Sequence, residues 1–106
     1  MKVKEFIKKN NLNCFVEGNL EKEIVSGYAG DFLSNTISRA GDNCIWFTVM
    51  NNVNVAAVAL LVDCAVICLC ENVSPDNSLL EKAKNQKINI IGTELNMYSA
   101  IKRFDI

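Results

Sequence analysis

Histidine is absent from the 106 residues of the sequence. It is the commonest general base in enzymes, the usual partner of a nucleophilic serine or cysteine, and the commonest transition-metal ligand. Its absence excludes Ser-His-Asp and Cys-His triads. We therefore predict no catalytic residue, no metal site and no cofactor.

A phosphate-binding loop is missing as well. No G-x-x-x-x-G-K-[ST] segment is present, and Gly27 and Gly30 are not followed by the glycine and lysine that such a loop needs. Asp31, Glu71 or Glu94 would act as an acid or base only if burial raised its pKa, and no two carboxylates are paired at a defined separation. We expect a non-enzymatic protein, with carboxylate chemistry as the remaining catalytic alternative.

Arginine is scarce and long apolar runs are lacking. Only Arg39 and Arg103 among the 11 basic residues are arginines, and 12 acidic residues oppose them. Bidentate contacts with phosphate and guanine favour arginine, so nucleic acid is not an expected partner.

The longest apolar stretch, residues 55–62, is too short to span a bilayer, and no apolar segment follows the basic N-terminus. We expect a soluble, cytoplasmic protein that does not bind membranes.

The five cysteines are an odd number and suggest no disulfide framework. Cys44, Cys64, Cys68 and Cys70 lie within or beside apolar runs, where a thiol acts as a small hydrophobe. The spacing of the last three fits no common zinc or iron–sulfur pattern. Within a strand, Cys68 and Cys70 would share a face and form at most an oxidation-sensitive pair.

The overall composition, with 50% apolar and 22% charged residues, is typical of a packed globular protein. A chain of 106 residues suits one hydrophobic core. The sequence shows no internal repeat and no linker. We therefore expect a single domain that spans residues 1–106.

The first forty residues predict two helices and two short strands. Residues 3–10 have amphipathic helical spacing, and residues 14–16 read as a short strand. A second strand at residues 24–25 is expected to end in a glycine-bearing loop at residues 26–31. Asp31 is the expected N-cap of the next helix, which Gly41 would close at its C′ position.

The remainder of the chain alternates between strands and helices. Residues 44–49, 65–70 and 88–91 are nearly continuous apolar runs, a pattern typical of strands that are covered on both faces. The alanine-rich stretch 55–62, a segment after the turn at residues 74–77, and a last segment capped by Thr93 predict the helices between and after them. The order predicts an α/β fold with a mostly parallel sheet, right-handed crossovers and helices on its faces.

Polar residues gather where the predicted strands end. Ligands of open parallel sheets bind outside the carboxyl ends of the strands, where helix N-termini and loop amides converge. Glycines there let backbone amides approach a ligand, and asparagine and glutamate side chains supply hydrogen-bonding groups. The predicted ligand-binding residues are Ser26, Gly27, Tyr28, Gly30, Asp31, Thr48, Asn51, Asn52, Asn54, Glu71, Asn72, Thr93 and Glu94.

Each of these loops also has a purely structural interpretation. Asn, Asp, Ser, Thr and Gly are the residues expected in turns and at N-caps of any α/β protein. The apolar segment 55–62 adds an alternative, because a helix that is apolar on all sides would be buried in a homodimer of so small a domain.

Several segments resemble the DRTGG domain family, and together they extend over nearly the whole chain. They are residues 23–34, 41–48, 54–59 and 81–83, together with the pair Thr93-Glu94. Domains of that family are similar to the N-terminal domain of HPr kinase/phosphorylase, and they occur beside CBS domains and phosphotransacetylase-type domains. The resemblance therefore implies a regulatory role and an α/β fold like that N-terminal domain.

The sequence departs from this family in two ways. The Asp-Arg-Thr-Gly-Gly motif that names the family is not present, and the kinase domain with its P-loop is missing, so the resemblance implies no kinase activity. We expect a stand-alone regulatory or sensor module that binds a small polar metabolite or nucleotide and acts through a partner protein or its own dimer. The alternative is a non-enzymatic protein–protein interaction subunit that acts as a homodimer.

Overall fold

The computed structural model describes residues 1–104, which form five strands and five helices. Along the chain these elements are α1 (Val3–Lys9), β1 (Asn13–Val16), β2 (Ser26–Ala29), α2 (Leu33–Arg39), β3 (Cys44–Thr48), α3 (Val53–Val62), β4 (Val66–Leu69), α4 (Asn77–Gln86), β5 (Ile90–Gly92) and α5 (Met97–Arg103). The strand order across the sheet is β1-β5-β4-β3-β2. Strands β2 to β5 are parallel, and β1 runs antiparallel to β5. The prediction of an α/β fold with a mostly parallel sheet is confirmed.

The three central strands are buried along their whole length, which explains why their sequences are apolar without alternation. Successive side chains of a strand point to opposite faces, so each strand contributes to two core clusters. On one face Trp46 and Ile67 pack against α3 and α4. On the other face Ile45 and Cys68 pack with residues of α1 and α5. Helices thus cover both faces of the sheet.

Helix α3 confirms the helix predicted at residues 55–62. The Asn52 side chain caps its start by accepting a hydrogen bond from the Asn54 backbone N–H at 2.9 Å. Val55 and Ala59 are buried against the sheet, whereas Leu61 keeps 67% of its surface exposed. No helix within residues 1–104 is long and apolar enough to cross a bilayer.

The prediction for residues 24–31 was wrong in the position of the strand. Ser26–Ala29 is not a loop but forms β2, which pairs with β3 from Ser26 opposite Cys44 onward. Ile24 is buried outside the strand, where its backbone N–H donates to the Met1 carbonyl at 2.8 Å. Small, exposed residues mark β2 because it is the edge strand, so its side chains resemble those of a loop.

The predicted ends of helix α2 were also wrong. The helix begins after Phe32 without any side-chain cap, and it ends at Ala40 in extended backbone rather than at a left-handed Gly41. The Asp31 carboxylate does not cap this helix. It accepts hydrogen bonds from the Thr48 hydroxyl at 2.6 Å and from the Val49 backbone N–H at 2.9 Å, which ties the loop after β2 to the end of β3.

The cap of α5 lies further along the chain than the sequence predicted. The Asn96 side chain accepts from the Ser99 backbone N–H at 2.8 Å and is the N-cap. Thr93 instead accepts from the Leu95 backbone N–H at 3.2 Å, within the short turn that follows β5. Both residue types suit an N-cap, and position relative to the last strand decides between them.

Candidate functional site

The carboxyl ends of the four parallel strands meet at one edge of the sheet. Most of the predicted ligand-binding residues lie at or just beyond these ends: Gly30, Asp31, Thr48, Asn51, Asn52, Asn54, Glu71, Asn72, Thr93 and Glu94. The expectation that Ser26 and Gly27 lie there is wrong, because they begin β2 and so lie toward the opposite edge. Tyr28 lies within the same strand, half-buried against the core.

Next to β2 and β3, most polar side chains of this edge form hydrogen bonds within the fold, whereas the exposed Asn54 side chain forms none within residues 1–104. Asp31 and Thr48 bind each other, and the Thr48 hydroxyl also accepts from the Met50 backbone N–H at 3.2 Å. The Asn51 amide donates to the Ser74 carbonyl at 2.8 Å. These hydrogen bonds, like the Asn52 cap, hold loops and helices in place. In this half of the edge, the polar residues therefore act mainly as turn and cap residues, which is their structural interpretation.

A tight turn closes the end of β4. Glu71 and Asn72 both have left-handed backbone, with φ of 58° and 60°, and the Val73 N–H donates to the Cys70 carbonyl at 3.2 Å. The Glu71 N–H bonds the Leu95 carbonyl at 2.8 Å. This turn therefore holds Asn72 against the segment that follows β5.

A cleft of about 370 Å³ lies beside that turn, at the β5 end of the same edge. We call it the β5 cleft. The loop of residues 10–13, the side chain of Phe15, the Asn72-Val73 turn, residues 92–95 and the end of α5 at residues 103–104 line it. It brings together the predicted residues Asn72, Thr93 and Glu94, and it leaves out the others.

The rim of the β5 cleft carries two opposite charges that the fold does not use. Glu94 and Arg103 are both exposed, and within residues 1–104 neither side chain forms an ion pair or a hydrogen bond. An exposed guanidinium without a partner is free to form a paired hydrogen bond with a carboxylate or a phosphate. The free carboxylate of Glu94 is an acceptor for hydroxyl or amino groups.

The floor of the cleft is apolar, and a glycine shapes it. A side chain at Gly92 would meet the ring of Phe15, whose Cζ lies 3.0 Å from the position of a Cβ atom there. Glycine at this position lets the Phe15 ring lie directly on β5. Leu12 and Phe104 extend the apolar lining. The cleft thus combines an aromatic surface with charged and amide groups, which is the usual make-up of a small-molecule site.

About half of the cleft comes from the start and end of the described chain, and these residues were not predicted from the sequence. Asn10, Asn11, Asn13 and Phe15 enter the site because β1 pairs antiparallel with β5, beside the end of that strand. Local patterns do not reveal that pairing. The sequence did contain one indication that Arg103 could belong to a binding site, because it is one of only two arginines in the chain.

Comparison with solved structures shows that the fold of this chain is similar to that of a known protein. No family model matches the chain, and no curated protein matches its sequence. A crystal structure of the CBS and DRTGG domains of the regulatory region of Clostridium perfringens pyrophosphatase, complexed with the activator diadenosine tetraphosphate, matches with a TM-score of 0.72 at 11% identity. The fold is consistent with a DRTGG-like domain.

The extent of the match defines what it shows. It covers 95% of this chain but only 44% of the pyrophosphatase chain, so the DRTGG-like fold corresponds to less than half of that regulatory region. The DRTGG resemblance that the residues predicted is confirmed for the fold, although the naming motif is missing. The likeness to the N-terminal domain of HPr kinase stays a prediction.

Proposed function

We propose that this chain is a regulatory module, one domain over residues 1–106, that binds a small polar metabolite or nucleotide in the β5 cleft. The observation that carries the proposal is the free Arg103 guanidinium, which lines a cleft of about 370 Å³ together with the apolar residues Leu12, Phe15 and Phe104. Sites for small molecules range from roughly 300 to 1,000 Å³, so the cleft has room for a mononucleotide-sized ligand.

Different residues of the cleft bind different groups of such a ligand. Arg103 binds an anionic group, because its planar guanidinium matches carboxylate and phosphate oxygens. Glu94 and the amide of Asn72 bind hydroxyl, amino or carbonyl groups. The face of the Phe15 ring contacts a flat or apolar part of the ligand, such as a base.

The structural relative supports the regulatory part of this proposal. That pyrophosphatase region is regulatory and was crystallised with a nucleotide activator, and a domain of the same fold belongs to it.

Removing the guanidinium tests the site. In a thermal-shift screen with mononucleotides, sugar phosphates and carboxylates, we expect at least one compound to raise the melting temperature of the wild-type protein. We expect Arg103→Ala to weaken binding of that compound by about 10-fold or more, since a charge-assisted hydrogen bond contributes about 1.5–3 kcal/mol. Without ligand, Arg103→Ala should melt like the wild type because the side chain is exposed.

Arg39→Ala is the matched control. Arg39 is also exposed, but it lies in the last turn of α2, away from the residues that line the cleft. It should leave ligand binding unchanged. A compound that stabilises the wild type and Arg103→Ala equally would contradict the assignment of the anion to Arg103, and a screen without any stabilising compound would contradict the site itself.

A homodimeric interaction subunit is the second candidate, and the surface of α3 favours it. Val53, Leu60 and Leu61 of this helix are 39%, 44% and 67% exposed, an unusual share of large apolar side chains for one short helix. If this surface joins two copies, sedimentation velocity at micromolar concentration should show a dimer that Leu61→Glu converts to a monomer. A wild-type monomer at that concentration would count against the interaction role.

A further inference from the structure

Two cysteine thiols meet at the edge of the sheet opposite to the β5 cleft. Cys44 begins β3, and Cys64 lies two residues before β4, its parallel neighbour. Their Sγ atoms are 4.0 Å apart, and both side chains belong to the core cluster on the same face of the sheet. Formation of a disulfide requires the sulfurs to approach by a further ~2 Å, to the bond length of about 2.05 Å.

One of the two cysteine residues borders a cleft that is open to solvent. Cys64 is 8% exposed and lines a second cleft of about 260 Å³, whereas Cys44 is fully buried behind it. The carbonyl of Cys64 also accepts a hydrogen bond from the Lys22 ammonium group at 3.3 Å. A small reagent that enters this cleft therefore meets Cys64 first and Cys44 second.

Cys68 and Cys70 also interact through their side chains, but they lack the access to a cleft that Cys64 has. Cys68 and Cys70 are both fully buried in or beside β4 and line none of the described clefts. Two residues apart on one extended strand, they are poorly placed for a disulfide. Cys14 is half-buried in β1. Among the described residues, Cys44 and Cys64 are thus the pair of which one member borders a cleft, and Cys14 is a half-buried single cysteine.

We propose that Cys44 and Cys64 form a reversible intramolecular disulfide by exchange with a small-molecule disulfide that enters the second cleft. The Cys64 thiolate attacks one sulfur of the reagent, the sulfur–sulfur bond of the reagent breaks, and one small thiolate leaves and takes up a proton. Cys44 then loses its proton to solvent and attacks Sγ of Cys64, and the second small thiol leaves. The two protein thiols lose two electrons and two protons, which the reagent gains.

The surroundings of Cys64 determine the conditions that this reaction needs. The hydrogen bond between the two thiols lowers the pKa of Cys44, whereas this hydrogen bond and burial raise the pKa of the Cys64 thiol well above its usual value. The charged groups near the pair are Lys22, Asp42 and Asp63, and only the lysine favours the thiolate. Because the thiolate is the attacking species, exchange should be slow at neutral pH and faster in a mildly alkaline buffer.

Mass spectrometry of the whole chain tests the proposal. The protein is incubated with oxidised glutathione in a mildly alkaline buffer, free thiols are blocked with N-ethylmaleimide, and peptides are mapped. We expect a Cys44–Cys64 disulfide, with an intact mass lower by about two hydrogen masses before blocking, and its full reversal by dithiothreitol. Cys68→Ala should leave this cross-link intact, whereas Cys64→Ala should abolish it.

Two results would overturn the proposal, and both are read on the wild-type protein, so that neither depends on a variant that folds poorly. In the first, Cys14 becomes glutathionylated while Cys44 and Cys64 both stay free, which would mean that the pair serves core packing only. In the second, Cys64 keeps glutathione as a stable mixed disulfide without closing on Cys44. Neither result bears on ligand binding at the β5 cleft.

Discussion

Replacing Asn89 with alanine is expected to lower the free energy of unfolding by about 3 kcal/mol. Asn89 is only 1% exposed, although it lies among the isoleucines that lead into β5. Its Oδ1 accepts from the Gly18 backbone N–H at 2.8 Å, and its Nδ2 donates to the carbonyls of Asn19 at 2.7 Å and Ala65 at 2.9 Å. Alanine would leave these three backbone groups without their partner.

The neighbouring glycine shows how closely this junction is packed. A Cβ atom at Gly18 would overlap the carbonyl group of Lys87 and would lie 2.7 Å from the Ile88 nitrogen. Because both are backbone groups, no rotation of a side chain relieves the overlap. Glycine thus allows the loop after β1 to come close enough for its amide to reach Asn89, and the three hydrogen bonds then join that loop to the start of β4.

Urea unfolding followed by circular dichroism measures the effect of Asn89→Ala. Asn85→Ala is the matched control, because Asn85 is exposed in the last turns of α4 and the same atoms are removed. The control should change the free energy of unfolding by less than about 0.5 kcal/mol. If the two variants unfold at the same urea concentration, the hydrogen bonds of Asn89 contribute no net stability.

Asn89 also illustrates which parts of the fold the sequence predicts. The buried strands β3 and β4 were predictable because short, continuous apolar runs rich in β-branched or aromatic residues are typical of strands covered on both faces. The apolar pattern around Asn89 also predicted the last parallel strand, with its start two residues too early, yet it contained no sign of the three partners of the Asn89 side chain. Those partners come from segments about 70 and 24 residues away.

Strand pairing limited the prediction of the site in the same way. The residues after β5 were predictable as site candidates, since the carboxyl end of a parallel strand is a common binding position. Phe15 was not predictable, because its position depends on which strand β1 joins and in which direction. Ser26 and Gly27 were misplaced for the opposite reason: an edge strand with small, exposed residues looks like a loop until its pairing with β3 is known.

Truncating Trp46 to alanine is expected to cost about 4 kcal/mol of unfolding free energy, the largest effect that we predict for a single substitution. Trp46 is fully buried in the middle of β3, where it packs with Ile67 and the residues of α3. Its indole N–H donates to the Gly30 carbonyl at 2.9 Å. Alanine would leave a large cavity and also free the loop that follows β2.

Trp46→Phe separates these two contributions. Phenylalanine keeps most of the apolar volume but has no donor for Gly30, so we expect a loss of about 2 kcal/mol, roughly half that of alanine. Because Trp46 is the only tryptophan, both variants lose the intrinsic fluorescence signal, and unfolding has to be followed by circular dichroism. Equal destabilisation by both variants would mean that the hydrogen bond to Gly30, not the packed volume, dominates.

The same pair of variants reports on the edge of the sheet beyond the core. Gly30 precedes Asp31, whose carboxylate binds the Thr48 hydroxyl, so the indole hydrogen bond and the carboxylate hold the same loop from two sides. We expect limited proteolysis to cut near this loop faster in Trp46→Phe than in the wild type, although the core is nearly intact. An unchanged cleavage rate would show that Asp31 and the backbone pairing of Gly30 with Phe47 fix the loop without the indole.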